Sequence, residues 1–133
     1  ESCQVLLREP RGHFDRYVWT FSKGAPNKNE VPVDTALRET REEMARSPEI
    51  IGHIPGVFEG GNTSSANYFY LMFDDDPSHD PAAKFGWETN AVRWASHEKA
   101  RELISESTNE GGRGRDLETL EAAYREFERL KPA

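Results

Sequence analysis

Residues 24–45 read GAPNKNEVPVDTALRETREEMA, a loop-like start followed by a strongly charged segment. Pro32 and Asp34 suit the first turn of a helix, because proline is tolerated there and an acid interacts favourably with the positive end of the helix dipole. Pro48 disfavours helical geometry at the residue before it, so the helix should end by residue 47. These signals predict a helix of about 12–14 residues.

Three carboxylates share one face of this predicted helix. Glu39, Glu42 and Glu43 stand at positions i, i+3 and i+4, which are neighbours on a helix surface. Like charges at this spacing are mildly destabilising, so the arrangement favours a positive partner between them. A hard divalent cation is such a partner, because Mg²⁺ prefers carboxylate and water oxygens. The alternative interpretation is an exposed acidic helix face.

The composition indicates one folded, soluble domain spanning residues 1–133. The 3 Trp, 7 Phe and 4 Tyr can build a hydrophobic core, although the apolar fraction is 35%. A net charge of −7 argues against binding to long nucleic acids, whereas a small phosphorylated ligand remains compatible with it. A single cysteine, Cys3, cannot form an internal disulfide, and no apolar run is long enough for a membrane span. We therefore expect a cytoplasmic protein without membrane partners.

Strands and helices are predicted to alternate irregularly along the chain. Predicted strands cover residues 3–8, 17–21, 49–58, 67–73 and 91–95, and the third is expected to be bulged or at an edge. Predicted loops cover residues 11–16, 22–30, 59–66, 74–84 and 108–115, the last one flexible and basic. A second helix should run from residue 97 to about 105 with Ser96 as its cap, and a third should follow Asp116 as its cap. The fold class is α/β or α+β, a mixed sheet packed between helices.

The charged segment also carries a spaced motif. Gly24 is followed after five residues by Glu30, and after seven more by an Arg-Glu pair and then a Glu-Glu pair. This spacing resembles the signature of Nudix hydrolases, G-x5-E-x7-R-E-U-x-E-E-x-G-U, in which U is a bulky apolar residue. Six positions match in register: Gly24, Glu30, Arg38, Glu39, Glu42 and Glu43.

Three positions depart from that signature. Thr40 stands where an apolar residue is usual, Ala45 replaces the glycine, and Arg46 replaces the final apolar residue. A glycine after a helix serves a left-handed turn, and alanine there costs about 1 kcal/mol or forces a different helix end. The geometry of the carboxylate helix should survive these changes.

The resemblance implies a hydrolase that cleaves a phosphoanhydride bond with Mg²⁺ or Mn²⁺ as cofactor. The implied metal ligands are Glu39, Glu42, Glu43 and the main-chain carbonyl of Gly24. The implied catalytic residues are Arg38, which would fix a glutamate by ion pairing, and the carboxylates Glu39 and Glu42. Glu30 would support the loop or the water network. Which carboxylate acts as the general base is left open, because members of the family differ.

Further candidates lie outside the motif. Glu88, six residues before Trp94, occupies a place where the family often has another catalytic acid, although an ordinary surface acid explains it more simply. The segment WTFSKG resembles the W-x-x-P-K-G lead of diadenosine and diphosphoinositol polyphosphate hydrolases, except that Ser22 replaces the proline. Lys23 would then contact a phosphate, and the alternative is a solvated lysine.

Two more residues are candidates for substrate binding. Arg8 is expected near the entrance of a nucleotide cleft, and Tyr70 alternates with Phe69 on a strand whose outer face could line a base-binding cleft. Arg113 and Arg115 could also receive phosphates, but a solvated connection explains them more simply. The four histidines have no metal-ligand spacing.

The predicted substrate is a nucleoside diphosphate linked to another moiety, such as a dinucleoside polyphosphate, or a diphosphoinositol polyphosphate. The alternatives are hydrolysis of ADP-ribose or nucleoside triphosphates, action on RNA ends, and a catalytically weak module that binds a nucleotide. The expected partner is a small nucleotide or polyphosphate, and the protein is expected to be a monomer or a homodimer.

Overall fold

The computed structural model describes residues 4–23, 27–46, 48–56, 58–60, 63–67, 69–73 and 88–130. Along the chain, the elements are β1 (Val5–Pro10), a 3₁₀ segment (Arg11–Arg16), α1 (Pro32–Met44), β2 (Glu49–His53), β3 (Phe58–Gly60), β4 (Thr63–Asn67), β5 (Tyr70–Phe73), β6 (Thr89–Ala95), α2 (His97–Ile104) and α3 (Glu110–Leu130). Within these ranges, β1 pairs with β6, β2 with β5 and β3 with β4, always antiparallel. The predicted α+β class is therefore confirmed.

The hydrophobic core has two parts, and α3 contributes to both. The first lies between the β1–β6 ladder and the helices α2 and α3, and its buried members are Leu7, Ala95, Ala100, Leu103, Ile104 and Leu120. The second packs around Ile54, Phe58, Ala122 and Ala123. The long helix α3 thus packs on β1, the strand that precedes the charged segment in the sequence.

The charged helix α1 has the predicted extent. It runs for 13 residues and carries Pro32 in its first turn. Thr40 is buried and its hydroxyl donates to the carbonyl of Ala36 at 2.8 Å, so its polar group is satisfied at a position where an apolar residue is usual. Arg46 lies over the ring of Trp94, with 5.8 Å between the guanidinium carbon and the ring centroid. Two departures from the motif are therefore accommodated by local contacts.

The third departure, Ala45, adopts the conformation for which glycine is usually required. Its φ of 56° and ψ of 40° are left-handed, and its amide donates to the carbonyl of Arg41 at 3.1 Å. The chain therefore keeps the glycine-type helix end instead of changing it. A side chain in this region costs about 1 kcal/mol relative to glycine.

Ala45→Gly is therefore expected to stabilise the protein by about 1 kcal/mol, because glycine relieves the strain of the left-handed turn. Ala36→Gly, inside the same helix, is the matched control and should destabilise by about 1 kcal/mol. Urea unfolding followed by circular dichroism measures both. Equal shifts for the two variants would contradict the assigned strain.

Two strands and one helix cap lie where they were predicted, whereas β2 ends at His53, before the end of the strand predicted at residues 49–58. β1 and β6 agree with the predicted strands within two residues at each end. Ser96 caps α2, since its hydroxyl accepts from the amide of Lys99 at 3.2 Å. The predicted bulge is confirmed, because the register of β2 shifts between Ile50 and Gly52.

The predicted strand at residues 17–21 is wrong except at one residue. Thr20 exchanges two backbone hydrogen bonds with Arg8, at 2.9 and 3.0 Å. The amide of Tyr17 instead donates to Phe14, and the amide of Val18 donates to the hydroxyl of Ser107. One local and one distant partner thus take the amides that a β-ladder would need.

The chain between residues 58 and 73 is divided differently from the prediction. Residues 59–66 were predicted as a turn, but β3 and β4 pair there as an antiparallel hairpin. Residues 67–73 were predicted as one strand, but β4 ends at Asn67 and β5 begins at Tyr70. The predicted loop at residues 74–84 lies outside the described residues.

The predicted loop at residues 108–115 is wrong from Glu110 onward, because α3 begins there. The amides of Thr108 and Asn109 donate to the carbonyl of Arg16, and the side-chain oxygen of Asn109 accepts from the amide of Gly112 at 3.0 Å. Asp116, predicted as the cap, lies inside the helix and is fully buried. Within the described ranges, no helix combines the length and apolar character needed to cross a bilayer.

Candidate active site

Arg38 forms ion pairs with three glutamates at the charged face of α1. It binds Glu30 with two hydrogen bonds, Nε to Oε2 at 2.9 Å and Nη2 to Oε1 at 3.0 Å. Its Nη1 donates to Glu39 at 2.5 Å and to Glu42 at 3.0 Å. One guanidinium therefore links the loop before the helix to two of the predicted metal ligands.

Glu30 closes the loop that precedes α1. Its Oε1 also accepts from the amide of Asn27 at 2.9 Å and from the hydroxyl of Thr35 at 2.8 Å. The hydrogen bonds from Arg38, and then that from Asn27, lower the pKa of Glu30 to about 2. The carboxylate is thus ionised under ordinary conditions and keeps its bidentate contact with Arg38.

Glu43 is buried and faces different partners from those of Glu39 and Glu42. Its Oε1 accepts from the backbone amide of Lys23 at 3.0 Å, and its Oε2 lies 3.7 Å from Nη1 of Arg8. Burial raises the pKa of Glu43 to about 7, and the charge of Arg8 opposes this shift. The helix therefore presents carboxylates in two different environments.

The pKa of Glu39 depends on the other acids of the site. Burial raises its pKa, the contact with Arg38 opposes the rise, and the charges of Glu42 and Glu88 add to it. Glu88 is exposed and directly precedes β6, and its carbonyl accepts from Arg8 Nη2 at 2.9 Å. The candidate acid Glu88 thus lies within electrostatic range of α1.

In this arrangement, the carboxylates of α1 do not form a complete metal-binding site. Among the described residues, no group of three or more His, Cys, Asp or Glu side chains is placed so that it could hold a metal ion. The contacts explain this, because Glu39 and Glu42 are drawn to Arg38 while Glu43 turns toward Arg8. Gly24, the fourth predicted ligand, lies outside the described residues.

The chemistry of the donor set nevertheless fits a hard divalent cation. All the candidate side-chain ligands are carboxylates on successive turns of one helix face. Burial is the main cause of the raised pKa of Glu39, and the negative charges of Glu42 and Glu88 repel its carboxylate and add to the rise. Bound positive charge would relieve that repulsion.

Arg8 has partners within the protein, and its expected position near a nucleotide entrance stays a prediction. The residue is buried, and its Nε donates to the hydroxyl of Thr89 at 3.0 Å while Nη2 donates to Glu88. From strand β1, the side chain reaches Glu43, with Nη1 at 3.7 Å from Oε2. Its contacts favour a role in holding this carboxylate, and substrate binding by Arg8 stays a prediction.

The two remaining substrate-binding candidates have protein partners in this structure. The ammonium of Lys23 lies 4.3 Å from the ring centroid of Tyr17, and burial lowers the pKa of Lys23 to about 8. Tyr70 packs beside His53 on the β2–β5 ladder, with 5.2 Å between ring centroids. Contact of either residue with a substrate stays a prediction.

Two polar residues were placed wrongly by the sequence analysis, which interpreted Arg115 as part of a solvated connection and Asp116 as a helix cap. Arg115 and Asp116 are buried in α3, and they contact Tyr17 and Thr20. A signal was present, because Asp116 stands four residues before the buried Leu120 and so lies on the apolar stripe of the helix. A charged residue in that position indicates a paired, buried acid.

The fold and the site together define an α+β domain with a glutamate-rich loop and helix organised around an arginine. A family model of the NUDIX domain matches residues 2–112. The match covers most of the chain, and this protein therefore belongs to the Nudix family. A search of curated proteins finds no significant match. Nudix proteins act in general on nucleoside diphosphate derivatives and use divalent metals such as Mg²⁺.

Proposed function

We propose that this protein is a pyrophosphohydrolase that cleaves a phosphoanhydride bond in a nucleoside diphosphate linked to another moiety, with Mg²⁺ or Mn²⁺ as cofactor. The observation that carries the proposal is the face of α1, where Arg38 holds two carboxylates and a third is buried beside them. A divalent cation, when bound, would neutralise phosphate oxygens and lower the pKa of the attacking water.

Two roles fall to the acidic residues, and Glu42 is a candidate for both. Glu39, Glu42 and Glu43 would hold the cation, together with the carbonyl of Gly24. A general base must be reachable by water, which favours the more exposed acids. The side chain of Glu42 is 57% exposed, and Glu88 is exposed beside the helix. Either can accept the proton of the attacking water.

An exposed aromatic residue favours a nucleotide over a diphosphoinositol substrate. Phe14 is 77% exposed, although it belongs to a closely tethered segment in which the carbonyl of Asp15 accepts from Asn109. The amide of Arg11 donates to Glu88 at 2.8 Å, which brings the segment beside the candidate acid. Three residues span at most about 11 Å, so Phe14 lies within reach of that edge of the site.

The backbone of this segment supports a binding role. His13, Asp15 and Arg16 all have positive φ values, of 51°, 59° and 67°. Such strained conformations persist where surrounding contacts impose them, and they concentrate at ligand-binding sites. A nucleobase stacked on a fixed aromatic ring gains about 1–3 kcal/mol.

The panel assay tests both the reaction and the substrate class. The protein is incubated with Mg²⁺ or Mn²⁺ and with diadenosine polyphosphates, ADP-ribose, diphosphoinositol polyphosphates or nucleoside triphosphates, and phosphate-bearing products are measured with and without a chelator. We expect metal-dependent turnover of a dinucleoside polyphosphate. Nucleotide binding without turnover of any compound would contradict the proposal and favour a binding module.

Phe14→Ala is expected to raise KM for the nucleotide substrate about tenfold with kcat nearly unchanged, because the lost stacking acts on binding. Ile51→Ala, at another exposed apolar residue, is the matched control and should leave KM unchanged. Steady-state kinetics measures both variants. An unchanged KM for Phe14→Ala would remove the stacking role.

A small-molecule partner, a monomeric or homodimeric state and a cytoplasmic location remain predictions from the sequence.

A further inference from the structure

A buried ion pair in α3 lies behind the candidate active site. Arg115 and Asp116 are 4% and 0% exposed, and both Nε and Nη2 of the arginine lie 3.1 Å from Oδ1 of the aspartate. Removing two charges from water costs about as much as their attraction returns, so such a pair contributes little net stability. Its value lies in fixing the orientation of the groups that contact it.

Two chains of contacts among the described residues connect this pair with Glu43. In the first chain, the hydroxyl of Thr20 donates to Oδ2 of Asp116 at 2.5 Å. The backbone of Thr20 in turn exchanges two hydrogen bonds with Arg8. Arg8 then places Nη1 at 3.7 Å from Oε2 of Glu43.

The second chain starts from the arginine of the pair. Nη2 of Arg115 donates to the hydroxyl of Tyr17 at 3.0 Å. The ring of Tyr17 carries the ammonium of Lys23 above it, and the backbone amide of the same lysine donates to Oε1 of Glu43. Each carboxylate oxygen of Glu43 is therefore reached by a different chain.

We propose that Arg115 and Asp116 are positioning residues that set the orientation of Glu43 through these two chains, which we call the Thr20 chain and the Tyr17 chain. The inference rests on the proposed function, in which Glu43 is a metal ligand. Arg38 draws the other carboxylates of α1 in one direction, and the two chains hold Glu43 in another. The buried pair in α3 thus fixes the direction of Glu43 independently of Arg38, so that a cation would meet a carboxylate that is already oriented.

Conservative variants interrupt each chain without opening a large cavity. Thr20→Val removes the hydroxyl that binds Asp116 and keeps the side-chain shape. Tyr17→Phe removes the hydroxyl that binds Arg115 and keeps the ring beneath Lys23. Thr119→Val is the matched control, because Thr119 is also buried in α3 but its hydroxyl donates to a backbone carbonyl at 2.8 Å. Thr20→Ser should restore the Thr20 chain.

The experiment measures Mn²⁺ affinity by electron paramagnetic resonance without substrate, then kcat and KM, and then thermal stability. Substitution of residues that orient metal ligands typically lowers metal affinity or activity by about 10–100-fold. We expect Thr20→Val and Tyr17→Phe each to weaken Mn²⁺ binding about tenfold and to lower kcat more than they change KM. Thr119→Val should lose stability with unchanged Mn²⁺ affinity, and Thr20→Ser should bind Mn²⁺ like the wild type.

The possible failures are distinguishable. If the wild-type protein binds Mn²⁺ and hydrolyses its substrate, but Thr20→Val and Tyr17→Phe do so equally well, the positioning inference is overturned and the proposed function stands. If Thr119→Val loses as much Mn²⁺ affinity as Thr20→Val, the effect is one of general stability and the inference is also overturned. If the wild-type protein neither binds Mn²⁺ nor turns over any substrate, both proposals fail together.

Discussion

Glu43→Gln is expected to lower kcat about 10³-fold, because the variant keeps the size of the side chain and removes the negative charge of a proposed metal ligand. The glutamine carbonyl can still accept from the amide of Lys23, so the local backbone contact survives. What is lost is the charge that faces Arg8 and that a divalent cation would need as a ligand. Kinetics at saturating substrate and metal measures the effect.

Stability must be separated from chemistry in this experiment. Arg8 keeps its hydrogen bonds to Thr89 and to the carbonyl of Glu88, so the substitution does not leave its guanidinium without partners. Glu118→Gln is the matched control, because it removes the same charge from an exposed position on α3. Its kcat should equal that of the wild type.

Comparison with Glu42→Gln tests the division of roles along the helix. Glu42 is exposed and bound to Arg38, so this variant should lose activity with little change in stability. A kcat for Glu43→Gln within a few-fold of the wild-type value would show that the buried carboxylate is not needed for the reaction. Retained activity in both variants would show that the reaction does not depend on this face of α1.

The extent of α1 and the identity of its acidic residues could be predicted because local signals determine them. Pro32 and Pro48 restrict the backbone at either end, and helical spacing alone places Glu39 and Glu43 on one face. The directions of the carboxylates could not be predicted in the same way. They depend on partners distant in sequence, as when Arg8 on β1 approaches Glu43.

The start of α3 shows how tertiary packing overrides local preference. Gly111, Gly112 and Gly114 each disfavour a helix by about 1 kcal/mol, so the sequence predicted a loop there. The backbone of Thr108 and Asn109 is nevertheless tied to the 3₁₀ segment, and the helix that follows packs on Tyr17. Neither contact has a local sequence signal, because the partners lie more than ninety residues earlier in the chain.

The close approach of α3 to Tyr17 leads to the largest expected effect on stability. A Cβ atom at Gly112 would lie 2.1 Å from the hydroxyl oxygen of Tyr17 and 2.5 Å from two of its ring carbons. Gly112→Ala must therefore displace the ring, which costs about 1–3 kcal/mol, and it weakens the hydrogen bond from Arg115, which contributes about 1–2 kcal/mol. Alanine returns about 1 kcal/mol of helix propensity, so we expect net destabilisation of about 2 kcal/mol.

Gly114→Ala in the same helix should change the free energy of unfolding in the opposite direction. A Cβ atom there meets nothing within 4 Å, so the higher helix propensity of alanine should stabilise the protein by up to about 1 kcal/mol. Urea unfolding of both variants measures the contrast, and destabilisation by both would show that α3 tolerates no side chain at either position.

Because the displaced Tyr17 ring also supports Lys23, the Gly112 variant should bind Mn²⁺ more weakly, whereas the Gly114 variant should bind it like the wild type. A loss of metal affinity confined to Gly112→Ala would therefore trace the effect to the contact with Tyr17, since both substitutions add the same methyl group to the same helix.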